Sequence, residues 1–231
     1  MAKKVFLGVG HGGSDPGAVK YVKESEANLV IALKVKEELE RHGVIVGISR
    51  IREENDDISE EIREANAFKP DIALDIHNNA GGGDGFEALI QTNSYASKSK
   101  KLGQCVEKQV LAIGQNSRGM KTRLNGYGTD YFGFLRSVYC PSVILEGFFV
   151  DNAKDVADFD TIKEQQKLGV AYAKGILDYL DISYNGKVKE DDKPSYHDQV
   201  QKRFGFDNNT MNYLSSYKYA EALLEKLATK K

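Results

Sequence analysis

The chain has 231 residues, 41% of them hydrophobic and 29% charged, with a formal net charge of −2 at pH 7. That balance describes a globular protein with one substantial core and room for a small appendage. Nothing in it calls for nucleic acid or an anionic membrane as partner, and no apolar run reaches the ~18 residues of a membrane span. Lys3-Lys4 precedes too short an apolar run for a secretory leader, so synthesis in the cytoplasm without a signal peptide is expected.

Residues 3–9 are β-formers that stop at the wide loop Gly10-His11-Gly12-Gly13-Ser14-Asp15-Pro16-Gly17. Beyond Glu24, in the returning loop, Ala27, Val30, Ile31, Val35 and Leu39 mark one face of a helix. Gly43 stops that helix, with His42 as its cap, and residues 44–50 form a second strand. Ile58, Ile62, Ala65 and Phe68 mark another helix, ended by Pro70. Residues 71–77 then alternate with period two, Ile72, Leu74 and Ile76 on one face and Asp75 and His77 on the other. A Gly-rich loop at 81–85 leads to a short strand at 86–91, and Leu102, Cys105, Val106, Gln109, Val110 and Ile113 give a helical stripe. Residues 117–129 lack periodicity and read as loop. Residues 141–147 read as a buried strand ending in an acid, Glu146, and Leu168, Ala171, Tyr172, Gly175, Ile176 and Tyr179 as a closing helix. Cys105 and Cys140 read as buried thiols rather than a disulfide.

This alternation predicts an α/β fold with a mainly parallel twisted sheet and helices on both faces. Ligands of such sheets sit outside the carboxyl ends of the strands, where His11, His77 and Glu146 fall. After residue 182 the composition changes. Residues 183–194 are charged and read as a linker, and 195–231 suggest two short helices in a module that dimerises, docks on the body or binds a separate ligand.

Catalytic zinc takes three protein ligands, often two His and a Glu, and leaves a fourth position for water. His11, His77 and a glutamate at 24 or 26 supply that set, Glu146 would stand beside it as general base, and Asp75 is either simply buried or a partner that orients a ligand. The bland alternatives are histidines satisfied by ordinary hydrogen bonds, with His42 as a cap and His197 exposed in the tail. Gly8-x-Gly10-x-x-Gly13 matches a dinucleotide-binding pattern, but Pro16 and Gly17 follow where a helix should open, and the next strand ends in Arg50 rather than an acid.

The segments His11-Gly12-Gly13-Ser14-Asp15-Pro16-Gly17, Glu24 before Asn28-Leu29, Asp75-Ile76-His77-Asn78-Asn79-Ala80 and Val143-Ile144-Leu145-Glu146-Gly147-Phe148 resemble, in order, the zinc-dependent N-acetylmuramoyl-L-alanine amidases of the amidase type 3 family. The resemblance covers roughly residues 3–182. It implies one Zn2+ held by His11, Glu24 and His77, with Glu24 favoured over Glu26 by register, and Glu146 as catalytic acid/base. The reaction implied is hydrolysis of the amide between N-acetylmuramic acid and L-alanine in peptidoglycan. A zinc peptidase cutting the stem peptide and a non-catalytic wall-binding protein are the alternatives. A leaderless body with a short tail further resembles phage or prophage endolysins of Gram-positive, including clostridial, hosts. That implies cytolysis after holin-dependent release, with 195–231 binding a wall ligand or pairing two chains. The stretch at 93–115 suggests no inhibitory insertion, so an open site is expected. One departure stands out: the family usually carries Thr or Ser after the acid, where this chain has Gly147.

Overall fold

Strands and helices alternate through the larger part of the chain: β1 (Lys4–Val9), α1 (Glu24–Arg41), β2 (Ile45–Ile48), α2 (Ile58–Phe68), β3 (Ile72–Asn79), β4 (Phe86–Ile90), α3 (Ala96–Ala112), β5 (Ser117–Lys121), α4 (Gly133–Ser137), β6 (Ser142–Phe149), α5 (Ala153–Val156) and α6 (Ile162–Tyr179). This computed structural model describes residues 2–186, 196–206, 208–215 and 220–229. It divides into two units, Met1–Tyr184 and Asn185–Lys231. Most of the expected charged linker, from residue 187 on, lies outside the described residues.

The first unit is built on a six-stranded sheet in the order β2-β1-β3-β6-β4-β5. β1, β2, β3 and β6 pair in parallel, β4 pairs antiparallel with β6, and β5 parallel with β4. The sheet is thus mainly parallel, as its alternation with helices predicts. The reversal at β4 follows from the six residues between β3 and β4, which are too few for the helical crossover that a parallel return needs.

Period-two alternation gives the sheet two unlike faces. Val5, Leu7 and Val9, Ile72, Leu74 and Ile76, and Val143 and Leu145 point to the back, into one core with the inward stripes of α1, α3 and α6. Phe6, Ala73, Leu89 and Ile144 point to the front and meet Ala65 of α2 and Phe134 and Leu135 of α4. α2 and α4 are short, so the carboxyl ends of β1, β3 and β6 stay uncovered on this face. α3 contacts β4 and α6 and belongs to the back core, clear of that opening.

Several elements differ from the sequence expectation. β5 is a strand where a loop was expected: its sequence, Ser-Arg-Gly-Met-Lys, lies at the sheet edge with no fully buried residue, so it carries no apolar signal. α4 and α5, of five and four residues, are too short to show a helical period. α6 begins earlier than its apolar stripe, at a capping box between Thr161 and Glu164. β6 runs three residues past Glu146 instead of ending there. Both thiols are free, Cys140 buried and Cys105 half-buried. His42 occupies the C-cap of α1, its Nδ1 2.7 Å from the Glu38 carbonyl oxygen.

Among the described residues the second unit holds three helices rather than two: α7 (Tyr196–Phe204), α8 (Asn208–Ser215) and α9 (Ala220–Thr229). Val200, Met211 and Leu224 form its small core. Arg203 ties α7 to the end of α9 by donating to the Leu227 and Ala228 carbonyls. The side chain of His197 lies outside the described residues.

Candidate functional site

A cleft of about 790 Å³ opens on the front face at the carboxyl ends of β1, β3 and β6, lined by the loop after β1, the start of α2 and the residues around α4. Its floor is built from the end of β1. His11 sits at φ 64°, in the left-handed region that a non-glycine residue rarely occupies and that clusters at functional sites. The turn is held by reciprocal backbone bonds between Gly12 and Asp15, at 2.7 and 3.0 Å, and by Asn55, which accepts from Ser14 N–H at 2.7 Å. Gly10 is required by contact: a Cβ there would lie 2.1 Å from the His77 ring.

Arg50, 2% exposed, fixes this floor. It donates to the carbonyls of Val9, Gly10 and Ser25, which ties the end of β1 to the first turn of α1. A second line runs from the Gly10 carbonyl to Asn28 Nδ2 (2.9 Å), and from Asn28 Oδ1 to Asn78 Nδ2 (2.7 Å). Glu24 opens α1, at its first residue rather than in the loop before it.

These constraints bring His11, Glu24 and His77 together. Glu24 Oε1 lies 3.3 Å from His11 Nε2 and 3.1 Å from His77 Nδ1, and the two rings meet edge to face with centroids 4.9 Å apart. One donor atom from each residue lies within 4.8 Å of the others, a set that can hold a metal ion. Atoms bonded to zinc at tetrahedral angles stand about 3.3 Å apart, which the two measured separations match. Each donor is braced from behind, as bound metals require. His11 Nδ1 is 2.8 Å from Asp15 Oδ2, His77 Nε2 is 3.3 Å from Asp75 Oδ2, and Glu24 Oε2 accepts from Ala18 N–H at 2.9 Å. Glu26, the competing glutamate, points outward to Lys23.

Charge follows this geometry. Hydrogen bonding to Glu24 raises His11 above the usual imidazole range. Burial opposes a charge on His77, yet Asp75 and Glu24 hold it well above that range. Burial likewise opposes ionisation of Glu24, but the two rings hold its carboxyl far below ordinary. Glu146 pairs in register with His77 on the neighbouring strand, about 4.8 Å away. Burial pushes its carboxyl up to about 7, and its Oε2 has no hydrogen-bond partner. A carboxyl near neutrality beside a donor set for a cation is suited to moving protons.

Gly147 sits on the other side of the strand. A Cβ there would come within 2.7 Å of Asn78 Oδ1, 2.8 Å of Leu168 and 2.9 Å of the Tyr172 hydroxyl. The departure from the family's Thr or Ser therefore concerns packing behind the sheet rather than bonding to Glu146.

The sequence reading missed Asp15 and Glu61. Asp15 had a signal, four residues after His11 inside a glycine turn. Glu61, 3% exposed, follows Glu60 on a charged helix and looks solvated. Burial, then the charges of Asp75 and Asp56, raise it well above the carboxylate range.

Fold and site together place the chain among enzymes that hydrolyse from the carboxyl edge of an α/β sheet. Comparison with known proteins narrows the class to one family. The chain belongs to the Amidase_3 family, N-acetylmuramoyl-L-alanine amidase, whose model matches residues 5–178. It is 32% identical over 206 residues to the endolysin of Bacillus phage SPP1, covering 84% of this chain and 73% of that one. It is 31% identical to the sporulation-specific N-acetylmuramoyl-L-alanine amidase of Bacillus subtilis, over 75% of this chain and 66% of that one. Among solved structures, Cwp6 from Clostridium difficile superimposes with a TM-score of 0.75 at 29% identity, over 78% of this chain and 30% of its own. The catalytic domain of CwlV from Bacillus (Paenibacillus) polymyxa gives 0.69 at 28%, over 78% and 99%.

Proposed function

We propose that the first unit hydrolyses the amide joining the lactyl group of N-acetylmuramic acid to L-alanine in peptidoglycan, with one zinc ion held by His11, Glu24 and His77. The observation that carries this reading is the convergence of those donors at 3.1 and 3.3 Å, one strand from Glu146, in a family named for this bond. Zinc, when bound, supplies a Lewis acid for the carbonyl and lowers the pKa of water. Glu146 accepts the proton of the attacking water and returns it to the alanine nitrogen as the C–N bond breaks, and its raised pKa suits both directions. Asp15 and Asp75 keep the two rings oriented.

In its biological setting the chain acts as an endolysin of a phage or prophage in a Gram-positive host. It collects in the cytoplasm, reaches the wall after holin-dependent release and lyses the cell. Its likeness to the SPP1 endolysin supports this setting. Residues 195–231 serve as a wall-binding module or pair two chains. No helix among the described residues is long and apolar enough to cross a membrane.

The test is digestion of Gram-positive peptidoglycan by wild type and Glu146→Gln, with termini read by mass spectrometry and zinc quantified. Wild type should release free N-terminal L-alanine, and Glu146→Gln should lose about 10²–10⁴-fold in kcat while keeping about one zinc per chain. Cuts further along the peptide would make the chain a peptidase. Zinc binding without cleavage would make it a wall-binding protein.

A further inference from the structure

One row of side chains crosses the front face at right angles to the strands. His77 of β3 pairs in register with Glu146 of β6, and Glu146 with Glu87 of β4. Residues paired in this way project to the same face, so Glu87 continues the line begun by the candidate metal ligand and acid. The row ends at β5, where Phe86 pairs with Ser117 and Glu87 with Gly119, so that Arg118 is the extra residue of an irregular register. Such bulges re-aim a side chain, and here the one re-aimed is an arginine.

Arg118 is held as a preset fork. Its Nε donates to Glu87 Oε2 at 2.7 Å, and Asn79 Nδ2 anchors the other carboxylate oxygen at 3.0 Å. The guanidinium lies over the Phe149 ring, 5.1 Å from its centroid. Glu87 is nearly buried, its side chain 14% exposed, while that of Arg118 is 42% exposed. Among the described residues no hydrogen bond or ion pair engages either Nη group of Arg118. A guanidinium fixed through Nε and 42% exposed, with its two terminal amino groups unengaged among the described residues, is organised to receive a carboxylate.

The cleft sharpens the point. Its lining carries neither lysine nor arginine, so a guanidinium for a substrate carboxylate has to come from beyond it. Glu87 stands one strand spacing, about 5 Å, from Glu146, and the guanidinium bonded to it lies just beyond. An extended peptide advances about 3.3–3.6 Å per residue. A chain leaving the scissile amide along this row therefore presents its second residue to Arg118.

We propose that Arg118 binds the α-carboxylate of the second stem-peptide residue, D-glutamate in peptidoglycan, and so selects stems in which that group is free rather than amidated. The proposal rests on the amidase reading and adds a substrate subsite to it.

Steady-state kinetics on two soluble substrates test it: N-acetylmuramoyl-L-Ala-γ-D-Glu-L-Lys-D-Ala, in which lysine is joined to the γ-carboxyl and the α-carboxylate is free, and the same compound with D-isoglutamine at the second position. Wild type should show a KM about ten- to hundred-fold higher for the amidated compound, with kcat nearly unchanged. Arg118→Ala should lose the same factor on the free carboxylate and nothing more on the amide, and Arg118→Lys should recover part of it. Equal KM values for the two compounds with wild type would overturn the subsite without involving any variant. An equal loss on both compounds in Arg118→Ala would reduce Arg118 to a fold role. If wild type cleaves neither muramoyl amide, the amidase reading itself fails and takes the subsite with it.

Discussion

Behind the sheet, Leu7, Leu74 and Leu145 interleave with α1, α3 and α6 in a dry core, each fully buried. In front, the same strands present Asp75, His77 and Glu146 to a cleft that α2 and α4 leave open. Asp56, Glu61, Asp75 and Glu146 each keep a buried carboxylate oxygen without a hydrogen-bond partner, and all four line that cleft. Because side chains alternate with period two, one strand serves both faces. The back supplies stability, part of which the front gives up to hold charged groups in place.

The back face should yield the largest loss of stability. Leu74→Ala removes a fully buried side chain from the middle of β3 and should destabilise the first unit by about 2–5 kcal/mol. Urea unfolding with zinc added measures it. At low urea, KM should be unchanged, because the front-face residues keep their positions on the strand. A cost under about 1 kcal/mol would mean that the core relaxes around the gap, and that the back face is not where stability resides.

A cut in front should have the opposite sign. In the metal-free protein burial raises Glu146 to about 7, against an ordinary 4.5. Between those values the native state keeps a proton that the unfolded chain has released. Stability therefore falls as pH rises through that window, and the cost is complete above pH 7. Glu146→Gln removes the titration. After chelation it should stabilise the protein at pH 8 by at most about 3 kcal/mol, and change nothing at pH 4. Melting curves at the two pH values decide it. Equal stability of wild type and variant at both would show that Glu146 carries no electrostatic cost.

The two faces were also unequally legible in the sequence. The back announced itself through apolar residues at fixed periods, in β3 as in α1 and α3, and these carried the fold class. In front, His11, His77 and Glu146 stood out because each ends or interrupts an apolar strand, and the structure brings them to one place beside Glu24. Two other acids of the cleft did not stand out. Asp15 and Glu61 gain their meaning from a loop turning back and a helix docking, contacts that residue spacing does not encode. β5 stayed hidden because an edge strand needs no apolar face, and with it went Arg118, whose setting depends on a register irregularity.

The smallest expected effect alters neither stability nor activity and reads both faces at once. Cys140 lies among the front-face apolar residues beneath α4, where burial pushes its thiol up to about 12. Cys105 is half-buried on α3. The thiolate is the reactive form, so at pH 8 iodoacetamide should modify Cys105 in the folded protein and leave Cys140 untouched until urea unfolds the chain. Peptide mass spectrometry over a time course separates the two sites. Once opening is fast relative to alkylation, the rate at Cys140 follows the population of the open state. Leu74→Ala should then speed it, and Glu146→Gln in the metal-free protein at pH 8 should slow it. Modification of Cys140 as fast as Cys105 in the native wild type would show that the cover formed by α2 and α4 opens locally, and that the front face is looser than its buried residues imply.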